Sequence, residues 1–227
     1  KTFKTVEELC NLYREACANG LVLYKGRPLK ASTIRRNEGR FRWHLIPQLG
    51  SEALQDVTKA RVSKFHDDIC LGKCKQTIKT SKKVRLVTGG NGAARKSVFL
   101  LSAVYRFGIK KGLIDFNPCL GVEVTPDGAK QRWLNFEEYE RLGSALKEAR
   151  ALGVSSVVAN YIWALALTAC RRNEMVNLVP SSIDEKAGGI RTLMKGLGEK
   201  ELVLRPCGAI PLNHLKSICG PDQEWVF

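Results

Sequence analysis

In the first 110 residues, apolar side chains recur every three or four positions, the spacing of one face of a helix. This periodicity predicts four helices, at residues 6–17, 34–46, 58–70 and 93–109. Thr5 and Glu8 form a capping-box pattern before the first helix, and Ser32 or Thr33 is the candidate cap of the second. We expect Pro47 to stop the second helix. The first half of the chain is therefore predicted to be one compact helical domain.

Loop signals divide the rest of the chain. Residues 73–85 are rich in lysine and indicate a flexible arm or a loop. Asn117-Pro118 ends the helical domain, and residues 121–132, with Pro126, Asp127 and Gly128, read as an exposed connector. We therefore predict a first domain at 1–118, a linker at 119–132 and a second domain at 133–227.

The second domain begins with a predicted helix capped by Asn135. The next helix, about 155–169, is apolar nearly all round, so we expect it at the centre of the core. Residues 189–194 and 201–204 predict a hairpin around the turn-forming segment 195–200, followed by a short helix to about residue 217. This half is predicted to combine helices with a small sheet.

Charge changes the picture, because it is unevenly distributed. Residues 1–120 hold 24 Lys and Arg against 9 Asp and Glu, whereas residues 121–227 hold 13 of each kind. A clustered positive charge gains affinity for phosphates through counterion release, so a nucleic acid is the favoured partner of the first half. A surface kept basic only for solubility is the alternative, but it does not require this asymmetry.

The candidate nucleic-acid contacts lie on two of the predicted helices. In the second helix basic residues alternate with Phe41, Trp43 and Leu45; they are Arg35, Arg36, Arg40 and Arg42. On the long fourth helix, Arg95 and Lys96 point outward. We expect the second helix to enter a groove, with contacts to phosphates or bases.

The eight cysteines show no disulfide spacing, and no signal peptide or membrane-spanning stretch is evident. A reducing cytoplasm, with nucleoid association, is the predicted location. His66, Cys70 and Cys74 lie at four-residue steps and raise the possibility of a metal site, but a fourth ligand is not evident. Free thiols are the preferred interpretation, and we predict no metal and no cofactor.

Several motifs occur in a recognisable order. Residues 33–50 form a basic helix ending in Ile-Pro-Gln-Leu-Gly, and Ala94-Arg95 leads into a long helix that ends before Asn117-Pro118. Arg132-Trp133-Leu134 then precedes a capped helix, and an apolar run closes on Leu-Thr-Ala-Cys-Arg-Arg-Asn-Glu at 167–174. Ile210-Pro211-Leu212 follows the predicted hairpin and reads as the end of a strand. In this order the chain resembles the tyrosine recombinases, the phage-integrase family.

The resemblance implies a mainly α fold. Its first part would be a four-helix, SAM-like core-binding domain, and its second a truncated α+β catalytic domain. Arg171 would correspond to the family's first catalytic arginine, Glu174 to the acidic residue that supports the site, and Lys195 to the hairpin lysine, with Lys200 its rival. Arg172 would be a neighbour that faces DNA or solvent. A surface salt bridge is the alternative interpretation of Arg171 and Glu174.

The chemistry of the family gives each residue a reason. A guanidinium donates two hydrogen bonds to the non-bridging oxygens of the phosphate as charge builds up on them. A glutamate three residues along a helical turn orients that arginine, and a mobile lysine protonates the departing 5′ oxygen. Ala169 stands where the family usually has glycine, which puts the local backbone geometry in question.

Later family motifs are not found before Phe227. These are the second-arginine box, a later His or Trp, and the nucleophilic tyrosine. Residues 225–227 resemble the strand just before that box, and the five tyrosines all precede Arg171; they are Tyr13, Tyr24, Tyr105, Tyr139 and Tyr161. The chain therefore looks truncated, and we expect it to bind DNA without cleaving it.

The resemblance implies a site-specific recombinase or integrase of a mobile genetic element. The full-length parent would cleave and rejoin double-stranded DNA through a 3′-phosphotyrosine without a cofactor, as a homo-oligomer, a tetramer on two DNA sites. The alternative is a non-catalytic DNA-binding protein or regulator derived from a recombinase. An RNA-binding protein is less favoured, because no aromatic pattern of an RNA-recognition sheet occurs.

Overall fold

The computed structural model describes residues 5–79, 84–126, 131–193, 202–220 and 223–227. The chain forms two compact units, residues 1–130 and 131–227. Both are mainly helical with small antiparallel sheets, which confirms the predicted fold class.

The helices of the first unit are α1 (Val6–Ala18), α2 (Ala31–Arg40), α3 (Ile46–Leu49), α4 (Lys59–Cys70) and α5 (Asn91–Lys110). Its strands are β1 (Leu23–Tyr24), β2 (Arg27–Pro28), β3 (Gln76–Lys79) and β4 (Val84–Val87). The helices of the second unit are α6 (Phe136–Ala151), α7 (Ser156–Thr168), α8 (Arg172–Val176) and α9 (Ala209–Ile218). Its strands are β5 (Ile183–Asp184), β6 (Gly189–Leu193) and β7 (Leu202–Pro206).

One apolar core holds the first unit together. Leu9 of α1, Phe65 of α4 and Leu101 of α5 are fully buried in it. Tyr105 is also buried and donates a hydrogen bond from its hydroxyl to the carbonyl of Leu54 at 3.2 Å. The helical periodicity of the sequence therefore located α1, α4 and α5 of this unit correctly.

The capping box predicted at the first helix is present. The Glu8 backbone N–H donates to Thr5 Oγ1 at 3.3 Å, and the Thr5 N–H donates to the Glu8 carboxylate at 3.1 Å. Two backbone donors that no helical carbonyl can reach are thereby satisfied.

The second predicted helix differs from its prediction at both ends. It begins at Ala31, and its cap residue Lys30 makes no side-chain capping bond, so neither Ser32 nor Thr33 is the cap. It also continues through Pro47, because a π-helical turn at Phe41–Leu45 joins α2 to α3 and Pro47 then falls in the first turn of α3. Pro47 has no N–H to donate to the preceding turn, and the wider π-helical turn lies directly before it.

The lysine-rich stretch at 73–85 is not simply an arm or a loop. Strands β3 and β4 pair antiparallel, with Gln76 opposite Val87 and Lys79 opposite Val84. The β-branched residues of these strands favour extended backbone. The lysine content of the stretch had instead indicated an arm or a loop. Lys73 and Lys75 are exposed, but the lysine content did not indicate the secondary structure.

The first part of the expected linker belongs to the first unit. Cys119 is buried in its core, and Val122 packs against that core. The backbone N–H of Thr125 donates to Nε2 of the buried His66 at 3.2 Å. The segment 119–125 is therefore fixed to the helical unit rather than exposed along its whole length.

The second unit contains a three-stranded antiparallel sheet with the strand order β5-β6-β7. Ile190 of β6 lies opposite Arg205 of β7, and its side chain packs with Met175, Leu178 and Leu215 in a small apolar core. Strands β6 and β7 agree with the predicted hairpin, and β5 was not predicted. The connecting residues 194–201 lie outside the described part of the chain.

The apolar helix α7 is not as central as expected. Only Ala159 and Ala164 are buried among its residues, whereas Val157, Val158 and Ile162 are exposed. The helices α6, α8 and α9 each pack against part of the surface of α7. Part of the apolar surface of α7 is left exposed. Among the described residues, no helix is both long enough and apolar enough to cross a membrane.

Two short predictions near the end of the chain are wrong. Ile210, Pro211 and Leu212 form the first turn of α9 rather than the end of a strand, and a proline is tolerated in a first turn. Residues 225–227 do not form a strand. A single hydrogen bond, from the Val226 N–H to the Leu178 carbonyl at 2.9 Å, fixes them to the unit.

We expect Thr5→Ala to lower the free energy of unfolding of the first unit by about 1 kcal/mol, because the Glu8 backbone N–H loses its capping acceptor, Thr5 Oγ1. Ser32→Ala is the matched control and should change it by less than about 0.5 kcal/mol, since Ser32 caps nothing. Native-state hydrogen exchange of the amides of α1 and α4 measures both effects. Equal losses in the two variants would contradict the capping assignment.

Candidate active site

The turn between α7 and α8 presents the candidate catalytic arginine. Thr168 Oγ1 donates to the carbonyl of Ala164 at 2.7 Å and accepts from the Cys170 N–H at 3.4 Å. Ala169 ends α7 with φ of 51°, in the left-handed region. Only glycine adopts this region without a steric cost, so the conformation explains why glycine suits this position. The turn keeps this geometry with alanine.

Arg171 occupies the cap position of α8 and is held by Glu174 through two contacts. The Arg171 backbone N–H donates to Glu174 Oε2 at 3.0 Å, and its Nη1 donates to Oε1 at 2.8 Å. The Arg171 side chain is 62% exposed, whereas that of Glu174 is only 6% exposed. The carboxylate is therefore a buried anchor, and the guanidinium still faces solvent.

A second arginine reaches the same carboxylate from the sheet. Nη2 of Arg205, on β7, lies 3.3 Å from each oxygen of Glu174. Nε of Arg205 donates to Thr192 Oγ1 on β6 at 3.1 Å. The site is thus a chain of contacts from the sheet, through Arg205 and Glu174, to Arg171.

Glu174 is ionised in this arrangement. Burial alone raises the pKa of its carboxyl, but the hydrogen bonds from Arg171 and the charges of Arg205 and Arg171 together bring it below its ordinary value. One carboxylate facing two guanidiniums leaves the cluster with a net positive charge. Such a cluster is able to bind an anion at the exposed edge of Arg171.

The other predicted site residues of this unit are placed differently. Arg172 is exposed, and its carbonyl accepts a hydrogen bond from the Tyr161 hydroxyl at 3.0 Å. Lys195 and its rival Lys200 lie outside the described residues. The strands β6 and β7 border the segment that carries both lysines.

The structure places the four arginines of the second predicted helix on α2 and the π-helical turn. Arg35, Arg36 and Arg42 are exposed, and no residue of α2 is buried. Arg40 is half-buried and donates to Asn37 Oδ1 at 2.7 Å. Burial, and next the charge of Arg36, lower the pKa of Arg40. This segment is a basic surface attached to the core of the first unit.

The long helix α5 also carries basic side chains. The guanidinium of Arg95 lies over the ring of Phe99, 5.3 Å from its centroid, and Lys96 is exposed. On the π-helical turn, Arg42 lies 5.8 Å from the ring centroid of Trp43. Each guanidinium thus lies within cation–π distance of an aromatic ring.

Other arginines of the first unit serve the fold. Arg14 forms a two-point contact with Glu38, with nitrogen–oxygen distances of 2.9 and 2.5 Å. Arg61 binds Glu52 at 2.7 Å and the carbonyl of Gln48. These side chains connect elements within the unit, so they are not candidates for DNA contact.

The residues considered for a metal have other partners. His66 Nε2 accepts from the Thr125 N–H, and Nδ1 lies 3.1 Å from Asp67. Cys70 lies beside His66, but Cys74 approaches the different histidine His44, at 3.4 Å. Within the described ranges, no three His, Cys, Asp or Glu side chains are grouped as metal ligands.

Sequence reasoning missed Arg205. The signal was a single arginine within an otherwise apolar strand, Leu-Val-Leu-Arg-Pro at 202–206. Alternation on a strand placed its side chain on the same face as Ile190, but the sequence did not show that Glu174 faces it. That contact spans 31 residues of sequence and appears only in the folded chain.

Comparison with solved structures shows two integrases of similar fold. A lambda integrase dimer bound to a COC′ core site superposes with a TM-score of 0.68 and 15% identity over 98% of this chain and 56% of that one. A lambda integrase tetramer bound to a Holliday junction gives 0.67 and 15% over 96% and 57%. The Tn1549 transposon integrase, residues 82–397, in complex with circular intermediate DNA gives 0.64 and 16% over 95% and 64%.

This chain has the fold of the tyrosine recombinases. The tyrosine-recombinase fold was predicted from the order of the motifs and is confirmed. The sequence by itself matches no family model and no curated protein. The chain spans 57% and 56% of the length of the two lambda integrase chains.

We expect the stability of the second unit to depend on the ionisation of Glu174. Because its folded pKa lies below the ordinary value of 4.5, the contribution is present above that pH and is lost as the pH falls through the folded value. Glu174→Gln should therefore destabilise the unit at neutral pH and flatten its stability profile in acid. Hydrogen exchange of the amides of β6 and α9 between about pH 3 and 7 measures this.

The matched control for this experiment is Glu148→Gln. It makes the same change of charge at an exposed position on α6 in the same unit. If the two variants have the same stability at every pH, Glu174 is not the buried anchor of the site.

Proposed function

We propose that this chain is the DNA-binding domain and the first part of the catalytic domain of a site-specific DNA recombinase of the tyrosine type. In the full-length parent, DNA is cleaved and rejoined through a 3′-phosphotyrosine. The observation that carries the proposal is the exposed guanidinium of Arg171, fixed by the buried Glu174 at the start of α8. It lies in a fold shared with integrases that were solved on DNA.

In this proposal Arg171 binds the phosphate that is attacked. As the attacking oxygen adds, negative charge builds up on the non-bridging oxygens, and a fixed guanidinium stabilises that charge more than it stabilises the starting phosphate. Glu174 holds one nitrogen of Arg171, Nη1, and leaves the exposed remainder of the group for the phosphate. Fixing the group in advance removes the cost of orienting it during the reaction.

Lys195 is the proposed general acid, with Lys200 its rival. The proposal assigns protonation of the departing 5′ oxygen to a lysine carried between β6 and β7. Arg205 joins β7 to Glu174, so this hairpin is attached to the Arg171 site at its base. The scheme uses no metal and no cofactor, because the arginines supply the charge and the lysine the proton.

The first unit, which holds the predicted domain at 1–118 together with the fixed segment 119–125, is the proposed DNA-binding domain. The catalytic part is proposed at 133–227. The exposed basic residues Arg35, Arg36, Arg42 and Lys96, with Arg40 and Arg95, would contact phosphates or base edges of double-stranded DNA. Arg172 would contact DNA from the second unit. Since one lambda integrase was solved as a tetramer on a Holliday junction, we propose a homo-tetramer on two DNA sites for the full-length parent.

We expect the double variant Arg35→Gln, Arg36→Gln to weaken binding of this chain to duplex DNA about tenfold at moderate salt and to reduce the salt dependence by about two contacts. Fluorescence anisotropy with a labelled duplex over a salt series measures both. The control is Arg141→Gln, an exposed arginine of α6. Equal effects per charge in the control would mean that net charge alone drives binding, as for a basic surface that serves solubility.

In the full-length gene product, Arg171→Ala should abolish formation of the covalent DNA complex, a loss of at least about a hundredfold, while most DNA binding remains. Trapping on a nicked suicide substrate, followed by denaturing electrophoresis, detects the complex. Arg172→Ala removes the neighbouring charge and should retain cleavage. A covalent complex at the unmodified level with Arg171→Ala would overturn the enzymatic proposal and leave a non-catalytic DNA-binding protein.

A further inference from the structure

Arg205 lies where the burial of a charged side chain costs free energy unless the charge has partners. Its cross-strand partner is Ile190, which is fully buried, and Thr192 on the same face of the sheet is buried as well. The Arg205 side chain is 27% exposed, less than half the value for Arg171. A guanidinium on the inner face of a sheet loses part of its hydration and requires charged or hydrogen-bonding partners.

The contacts of Arg205 connect it through Glu174 to Arg171. Nε donates to the buried Thr192 hydroxyl, which fixes the plane of the guanidinium, and Nη2 lies 3.3 Å from both oxygens of Glu174. Glu174 in turn holds the backbone and the side chain of Arg171. Arg205 therefore contacts the carboxylate that orients Arg171.

The charge balance of the cluster depends on this arginine. Arg171 and Glu174 alone form a neutral pair, and a buried carboxylate beside the guanidinium repels an approaching phosphate. Arg205 offsets that carboxylate, so the three groups together carry a net charge of about +1 in a partly desolvated place. The cluster is then attractive to an anion, and Arg171 is free to donate to it.

We propose that Arg205 is a positioning residue of the phosphate site: it neutralises and orients Glu174, and so leaves Arg171 aimed at the DNA phosphate. This rests on the proposed function, because it assigns a further residue to the same site. Arg205 acts through Glu174 and is not itself a ligand of the phosphate.

The neighbouring strand supplies a matched control. Arg191 of β6 also pairs with a carboxylate, since its Nε and Nη2 lie 3.0 and 2.6 Å from Asp184 Oδ2. It precedes Thr192 on the strand, so its side chain is on the other face of the sheet. Arg191→Gln removes the same charge and the same kind of ion pair from the same sheet without touching the Arg171 cluster.

The test is a cycle of variants in the full chain, with binding to a labelled DNA duplex measured over a salt series. Arg171→Gln should reduce affinity about tenfold and the salt slope by about one contact. Arg205→Gln should reduce affinity about fivefold, and combining it with Arg171→Gln should add less than about twofold, because Arg205 works through Arg171. Arg191→Gln should change affinity less than about twofold.

A second readout is the titration of the Glu174 carboxyl, followed by carbon-13 NMR with selective labelling. Arg205→Gln should raise the pKa of Glu174, because burial remains while a compensating charge is lost. Arg205→Lys restores the charge without the fork to Thr192, so it should recover part of the affinity and part of the pKa shift. Hydrogen exchange of β6 verifies that each variant is folded, and Arg205→Lys decides the matter if Arg205→Gln is unfolded.

The outcomes are distinguishable. If Arg171→Gln leaves DNA binding unchanged, the proposed phosphate site fails as a whole, and Arg205 has no such task. If Arg171→Gln weakens binding but Arg205→Gln behaves like Arg191→Gln, the proposed function stands and the positioning role of Arg205 is overturned. Full additivity of the two losses also overturns it, because Arg205 would then contact DNA independently. A coupled loss with a raised pKa of Glu174 supports it.

Discussion

The second unit depends on one buried carboxylate. Glu174 is almost inaccessible to solvent, and its ionised form is tolerated only because the backbone and side chain of Arg171 and the guanidinium of Arg205 surround it. These contacts connect the turn after α7, the start of α8 and the sheet. A buried charge with well-placed partners adds little net stability, but removal of one partner is expensive. The arrangement therefore enforces one geometry at the place where an exposed guanidinium is presented.

The backbone around this carboxylate carries its own constraint. Ala169 is in a left-handed conformation, and the turn that contains it directs Arg171 into the cap position of α8. Thr168 supports the turn by bonding both the preceding helical carbonyl and the Cys170 N–H. An alanine at this position costs about 1 kcal/mol of local strain relative to glycine. Glu174 contacts Arg171 at this turn and Arg205 on β7, and these contacts keep the turn in place.

The sequence was sufficient for elements that are encoded locally. The capping box of Thr5, the cap of α4 at Thr58 and the reciprocal bonds of Asn135 with Glu138 all follow from residues three positions apart. Arg171 and Glu174 could be paired for the same reason, since they are adjacent along one turn.

Features that depend on distant partners were not accessible in this way. The contact of Arg205 with Glu174 joins a strand to a helix, and the pairing of β3 with β4 is set by backbone bonds that charge composition does not reveal. The exposure of much of α7 depends on which of its sides other helices cover. Hydrophobicity along the chain specifies that a helix is apolar but not how much of its surface is packed.

The π-helical turn at Phe41–Leu45 has an evolutionary consequence. It separates a helical segment with no buried residue from one whose Phe41, Leu45 and Leu49 belong to the core. Substitutions at exposed positions of α2, such as Arg35 and Arg36, therefore alter surface chemistry with little effect on folding, while Phe41, Leu45 and Leu49 are held by packing. During evolution, substitutions on the exposed half of this helix can therefore change what the protein binds. The buried half preserves the fold.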